Sequence, residues 1–121
     1  MKPNINSNIA IIGVPLDLGA GTRGVNLGPD AIRYAGVEER LKNIGYNVED
    51  LGDIPVNRSQ AVTEPNSNLK NLNVISEVNS LLSEKVFSVM SEGKFPLVLG
   101  GDHSIAIGTI SGVLKYKKSL G

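Results

Sequence analysis

The sequence predicts an α/β fold: a partial open parallel sheet with flanking helices. Three observations carry this expectation. Short aliphatic runs alternate with longer segments of helical period, in the order strand, helix, strand, helix, strand, helix. The first run, Ile9 to Val14, is apolar throughout, as in a strand buried on both faces. Glycine-rich segments follow the first and third runs, at the strand ends where ligands of parallel sheets collect.

The elements follow in order. Beyond Pro15, a glycine-rich loop runs from Asp17 to Gly28. A helix is expected to begin near Pro29, because proline lacks an N–H that would be unpaired there anyway, and Asp30 suits the positive end of the helix dipole. Tyr34, Val37, Leu41 and Ile44 recur at spacings of three and four and form one apolar stripe, with Gly45 as the stop. Tyr46 to Leu51 is a weaker strand, closed by the turn residues Asp50, Gly52 and Asp53. Pro55 to Asn68 is polar and proline-punctuated, which predicts a surface loop.

From Leu69 to Glu92 the helical period is strong: Leu72, Ile75, Val78, Leu82, Val86 and Val89 share one face, with Glu, Ser, Asn and Lys opposite. Gly93 ends it. Phe95 to Leu99 is the third strand, and Gly100-Gly101-Asp102-His103-Ser104 follows directly. A last helix, Ile105 to Lys117, ends in Lys115, Lys117 and Lys118, a solvated basic terminus that suits the dipole.

Composition excludes several classes. A chain of 121 residues suits one small domain. Twelve basic residues against twelve acidic ones leave no surplus cations for a phosphate backbone, so nucleic acid is not expected as a partner. The absence of cysteine removes disulfides, thiolate ligands and thiol nucleophiles, and fits a reducing cytosol. No apolar run approaches the ~18–20 residues that span a bilayer, and no signal peptide is apparent. A cytoplasmic protein without a membrane partner is expected.

The chemistry concentrates at His103, the only histidine. One reading is a structural histidine donating to a backbone carbonyl. The other is a metal ligand or catalytic group, favoured by the two preceding glycines, the adjacent Asp102 carboxylate and the strand-end position. Ser104 reads as a helix N-cap rather than a nucleophile, which would need a base that a single histidine does not supply. Gly19-Ala20-Gly21-Thr22-Arg23-Gly24 matches G-x-G-x-x-G, but Pro15 to Leu18 separate it from the strand, so a shaped loop is expected rather than a nucleotide site. Asp17 and Arg23 are expected to form an ion pair that fixes this loop.

Four segments then carry a resemblance: IIGVPLDLG, RGVNLGPDAIRYAGVEERL, VEDLGDIP and FPLVLGGDHSIAIGT, in this order and spacing over essentially the whole chain. The chain resembles the ureohydrolases, and among them the bacterial arginases. Agmatinases and formimidoylglutamases share GGDHS and GP-x-x-IR, whereas the RYAG…RL…G…V.DLGD run looks more like arginase. The resemblance implies an open α/β fold, a homo-oligomer when complete, and two Mn2+ ions per complete site. It implies hydrolysis of a guanidino substrate, L-arginine, to L-ornithine and urea. Paired divalent ions acidify a bound water, which the poorly electrophilic guanidinium requires. His103 matches the first metal-binding histidine of the family, and Asp102, by adjacency, is expected to orient it.

The resemblance further implies that residues 1–121 form the amino-terminal part of a single ureohydrolase domain. They stop at Ser119-Leu120-Gly121, before the DAH-type and D-x-D segments that hold the other ligands. Only His103 is therefore carried over, and no catalytic acid or base. By itself the chain is expected to bind manganese weakly, to be inactive and to tend to aggregate. A truncated, non-catalytic paralogue that pairs with a full-length subunit is the alternative from another class.

Overall fold

The computed structural model describes residues 7–17, 27–56 and 71–121. The elements are β1 (Asn8–Val14), α1 (Gly28–Tyr34), α2 (Val37–Asn43), β2 (Asn47–Asp53), α3 (Leu72–Ser91), β3 (Phe95–Gly100) and α4 (Ile105–Ser119). The three strands form a parallel sheet in the order β2-β1-β3. The expected α/β class, strand count and strand direction are thus observed.

The central position of β1 follows from its side chains. Ile9 to Val14 are all buried, and only a strand paired on both edges and covered on both faces hides such a run. Ala10, Ile12 and Val14 point to one face and meet Val74, Val78, Leu82, Val86 and Val89 of α3, joined by Leu16 and Ile54. Each of these α3 side chains is at most 3% exposed. Burial on that scale contributes about 1.5–3 kcal/mol per side chain, which holds the long helix to the sheet. On the opposite face, Gly13 lies beneath Arg33 of α1.

Three expectations need correction. The segment from Pro29 to Ile44 is not one helix: Gly36, at φ +88°, divides it into α1 and α2. The break rotates the two halves, so Tyr34 is 93% and Ile44 is 70% exposed and the apolar stripe does not close. On α3, Leu72 is exposed while Val74 takes the buried place. Asn79 and Ser83, expected on the solvent side, are buried because α4 covers that flank. The glycine motif at 19–24, Arg23 and most of the 55–68 loop lie outside the described residues.

β2 contains an irregularity that the sequence did not announce. Its register against β1 shifts between the pairs Ile11–Asp50 and Gly13–Asp53, so β2 carries one extra residue. Gly52, at φ +82°, occupies the bulge, and its amide donates to Asp50 Oδ1 at 2.8 Å.

Candidate metal centre

The carboxyl ends of β1 and β3 meet at a tight turn. β3 ends at Gly100, and Gly100–Ser104 turns directly into α4. Gly101 has φ +61°, and a Cβ there would meet the carbonyl oxygens of Val14 and Leu16. The bare glycine lets the turn lie against the end of β1. Asp102 N–H then donates to Leu16 O at 2.9 Å, tying the two strand ends together. From the other side, Gly28 at the start of α1 packs on the same turn, where a Cβ would lie 2.5 Å from Gly100 O.

Asp102 is 8% exposed and organises the turn from within. Its Oδ1 accepts the Ser104 backbone N–H at 2.9 Å and the Ser104 hydroxyl. Ser104 holds the N-cap position as expected, but its hydroxyl turns back to Asp102 and makes no cap bond. Asp102 therefore shapes the backbone that carries His103. Asp17, on the neighbouring loop, is buried at 1% exposure.

His103 itself is exposed. It lines an open cleft of about 390 Å³ with Gly100, Gly101, Asp102, Ile105 and Thr109. The imidazole thus stands at a strand's carboxyl end, where ligands of parallel sheets collect, and is not packed in the core.

The other charged candidates fall elsewhere. Asp50 and Asp53 do more than shape a turn: both bind Arg33, with Nε–Oδ2 of Asp50 at 2.8 Å and Nη1–Oδ1 of Asp53 at 2.6 Å. Burial alone would lower the Arg33 pKa, but hydrogen bonds to Asp50 and Asp53 and their charges outweigh it and push the guanidinium up. Burial likewise raises the Asp50 carboxyl, and the Arg33 hydrogen bond, the Gly52 amide and the Arg33 charge hold it below the usual range. Lys115, Lys117 and Lys118 border an exposed apolar surface on α4 that includes Ile107, Ile110 and Leu114.

The sequence pattern of the arginase family matches residues 7–121. The chain belongs to the arginase family. The arginase of Bacillus caldovelox is 53% identical over 122 residues, covering 100% of this chain and 39% of that protein. Its native crystal structure superimposes with a TM-score of 0.81 at 55% identity, covering 90% of this chain and 37% of the other. A formiminoglutamase variant from Trypanosoma cruzi, solved with Mn2+, gives a TM-score of 0.62 at 25% identity, covering 95% of this chain and 37% of that one. The chain thus spans about two-fifths of the length of the arginase that it matches.

Membership in the arginase family raises the question of metal. The donor chemistry of His103 fits manganese, which accepts imidazole beside oxygen ligands. Among the described residues, however, no group of three or more His, Cys, Asp or Glu is placed to hold an ion. His103 fits as one donor of such a site. Two residues that brace its surroundings, Arg33 and Asn79, were not singled out from the sequence. Arg33 lies within the GPDAIRY segment that carried the resemblance, whereas Asn79 left no signal.

Proposed function

We propose that His103 is a manganese ligand in an enzyme that hydrolyses L-arginine to L-ornithine and urea. The observation that carries this reading is the exposed imidazole on the Asp102-braced turn at the carboxyl end of β3. Manganese in such a site acidifies water and offsets developing charge, which supplies the nucleophile that an unreactive guanidinium needs. The chain's own part is positional. Gly101 permits the close approach of β1 and β3, Asp102 holds the turn, and His103 presents its imidazole at the cleft. The reaction balances as L-arginine plus water giving L-ornithine plus urea.

His103 is the one donor that this reading assigns among the described residues, and we infer that residues 1–121 alone hold manganese weakly and release no urea. They form the amino-terminal part of a single ureohydrolase domain in this reading. The full-length protein is a cytoplasmic homo-oligomer. No helix among the described residues is long and apolar enough to cross a membrane.

The test is His103→Ala in the full-length protein, with bound manganese measured by elemental analysis, urea release assayed with L-arginine and agmatine, and formamide release assayed with formimidoylglutamate. Loss of metal together with loss of urea release from L-arginine is the expected result. Full manganese occupancy in the variant, or a preference of the parent protein for agmatine or formimidoylglutamate, overturns it.

A further inference from the structure

The turn that carries His103 is continuous with α4, so the axial position of α4 sets where the imidazole stands. That position is fixed by a polar notch on α3. Asn79, only 6% exposed, accepts the Gly108 N–H on its Oδ1 at 2.7 Å and donates from Nδ2 to Ile75 O at 3.0 Å. One turn further along both helices, Ser83 Oγ meets Ser111 Oγ at 3.3 Å. The glycines of α4 make this approach possible. A Cβ at Gly108 would lie 2.6 Å from Asn79 O, and one at Gly112 would lie 2.6 Å from Ser83 O.

The chemistry of a helix start explains the importance of Asn79. The first N–H groups of a helix have no partner within it. In α4, the Ile105 and Ala106 amides reach back to the carbonyls of Asp102 and His103. The Gly108 amide, further along, donates to Asn79 of another helix. Apolar packing tolerates sliding, since one methyl replaces another. A buried amide–amide hydrogen bond does not, because a shift of one residue leaves a donor and an acceptor unpaired in a dry interface.

We propose that Asn79 is a positioning residue for His103: by capping Gly108 from α3, it fixes the register of α4 and with it the imidazole beyond the end of β3. This rests on the reading of His103 as a metal ligand.

The experiment measures manganese affinity of the full-length protein by titration, alongside thermal stability, for Asn79→Leu, Asn79→Asp, Val86→Ala and His103→Ala. Asn79→Leu keeps the bulk and removes both hydrogen bonds, and is expected to weaken manganese binding at least tenfold. Val86→Ala cuts the same helix pair's apolar contact, and is expected to lower the melting temperature while leaving affinity within about twofold. Asn79→Asp keeps an acceptor for Gly108 but loses the donor to Ile75 O, and is expected to weaken binding less than Asn79→Leu. Unchanged affinity in Asn79→Leu, or losses in Asn79→Leu and Val86→Ala that simply track melting temperature, overturns the proposal. Should Asn79→Leu not fold, Asn79→Ala takes its place: a tenfold loss of affinity beyond that of Val86→Ala supports the proposal, and unchanged affinity overturns it. His103→Ala separates the two readings. If it still binds manganese, the metal reading falls; if it does not, and Asn79→Leu binds normally, only the positioning role falls.

Discussion

Arg33 grips Asp50 side-on, through Nε to Oδ2 at 2.8 Å and Nη2 to Oδ1 at 3.0 Å, across the bare backbone of Gly13. The same guanidinium reaches Asp53 at 2.6 Å and Asp30 at 3.3 Å. Asp50 and Asp53 are three residues apart on a strand, where alternation would send them to opposite faces. The extra residue at the Gly52 bulge shifts the phase by one, so both carboxylates meet one cation. Helix α1 is thereby held to β2 near one end while Gly28, at its other end, rests on the Gly100 carbonyl beside the candidate metal centre.

Replacing Arg33 by alanine is expected to lower stability by about 1–2 kcal/mol, the upper part of the range for partly exposed pairs with bidentate geometry. Lysine should restore little of this, since an ammonium cannot engage both Asp50 oxygens and Asp53 together. Urea denaturation of the three proteins checks it. Full rescue by lysine would mean that charge alone matters.

The depressed Asp50 carboxyl links this cluster to pH. An unfolded aspartate titrates near pH ~4. Because the folded value lies lower, the contribution of Asp50 is complete above the unfolded value and is lost as pH falls through the folded one. Melting temperature between pH 7 and pH 2 should therefore fall more steeply in the parent than in Asp50→Asn, with the curves converging at the acid end. Parallel curves would show that Asp50 is not linked to folding.

Gly52→Ala is expected to cost about 1–2 kcal/mol, because a Cβ is strained at positive φ. Part of that cost should come from turning Asp53 away from Arg33. A double-mutant cycle with Arg33→Ala should then be non-additive by about 0.5 kcal/mol or more. Strict additivity would mean that the bulge and the ion cluster are independent.

Gly112→Ala sets two effects against each other. Intrinsic helix propensity favours alanine by about 1 kcal/mol. Against it, the new Cβ would lie 2.6 Å from Ser83 O and 2.7 Å from Val86 Cβ, and overpacking typically costs about 1–3 kcal/mol. The net expectation is destabilisation, read from chemical denaturation midpoints. A more stable variant would show that α3 and α4 separate at little cost.

Much of this architecture is written in local pattern. The buried run Ile9–Val14, the period of α3 and the proline and glycine punctuation are each readable within a few residues, because they express intrinsic backbone preference and one-sided burial. So is the tight turn before His103, since its paired glycines permit a close backbone approach. Three features were decided only by the fold. Asn79 looks like a solvent-facing polar residue until α4 covers it. Asp50 and Asp53 look like turn formers until the bulge aligns them. Tyr34 and Ile44 look like one stripe until Gly36 divides their helix. In each case the deciding partner lies on another element, or the phase of the chain changes between two positions. Local periodicity holds neither kind of information.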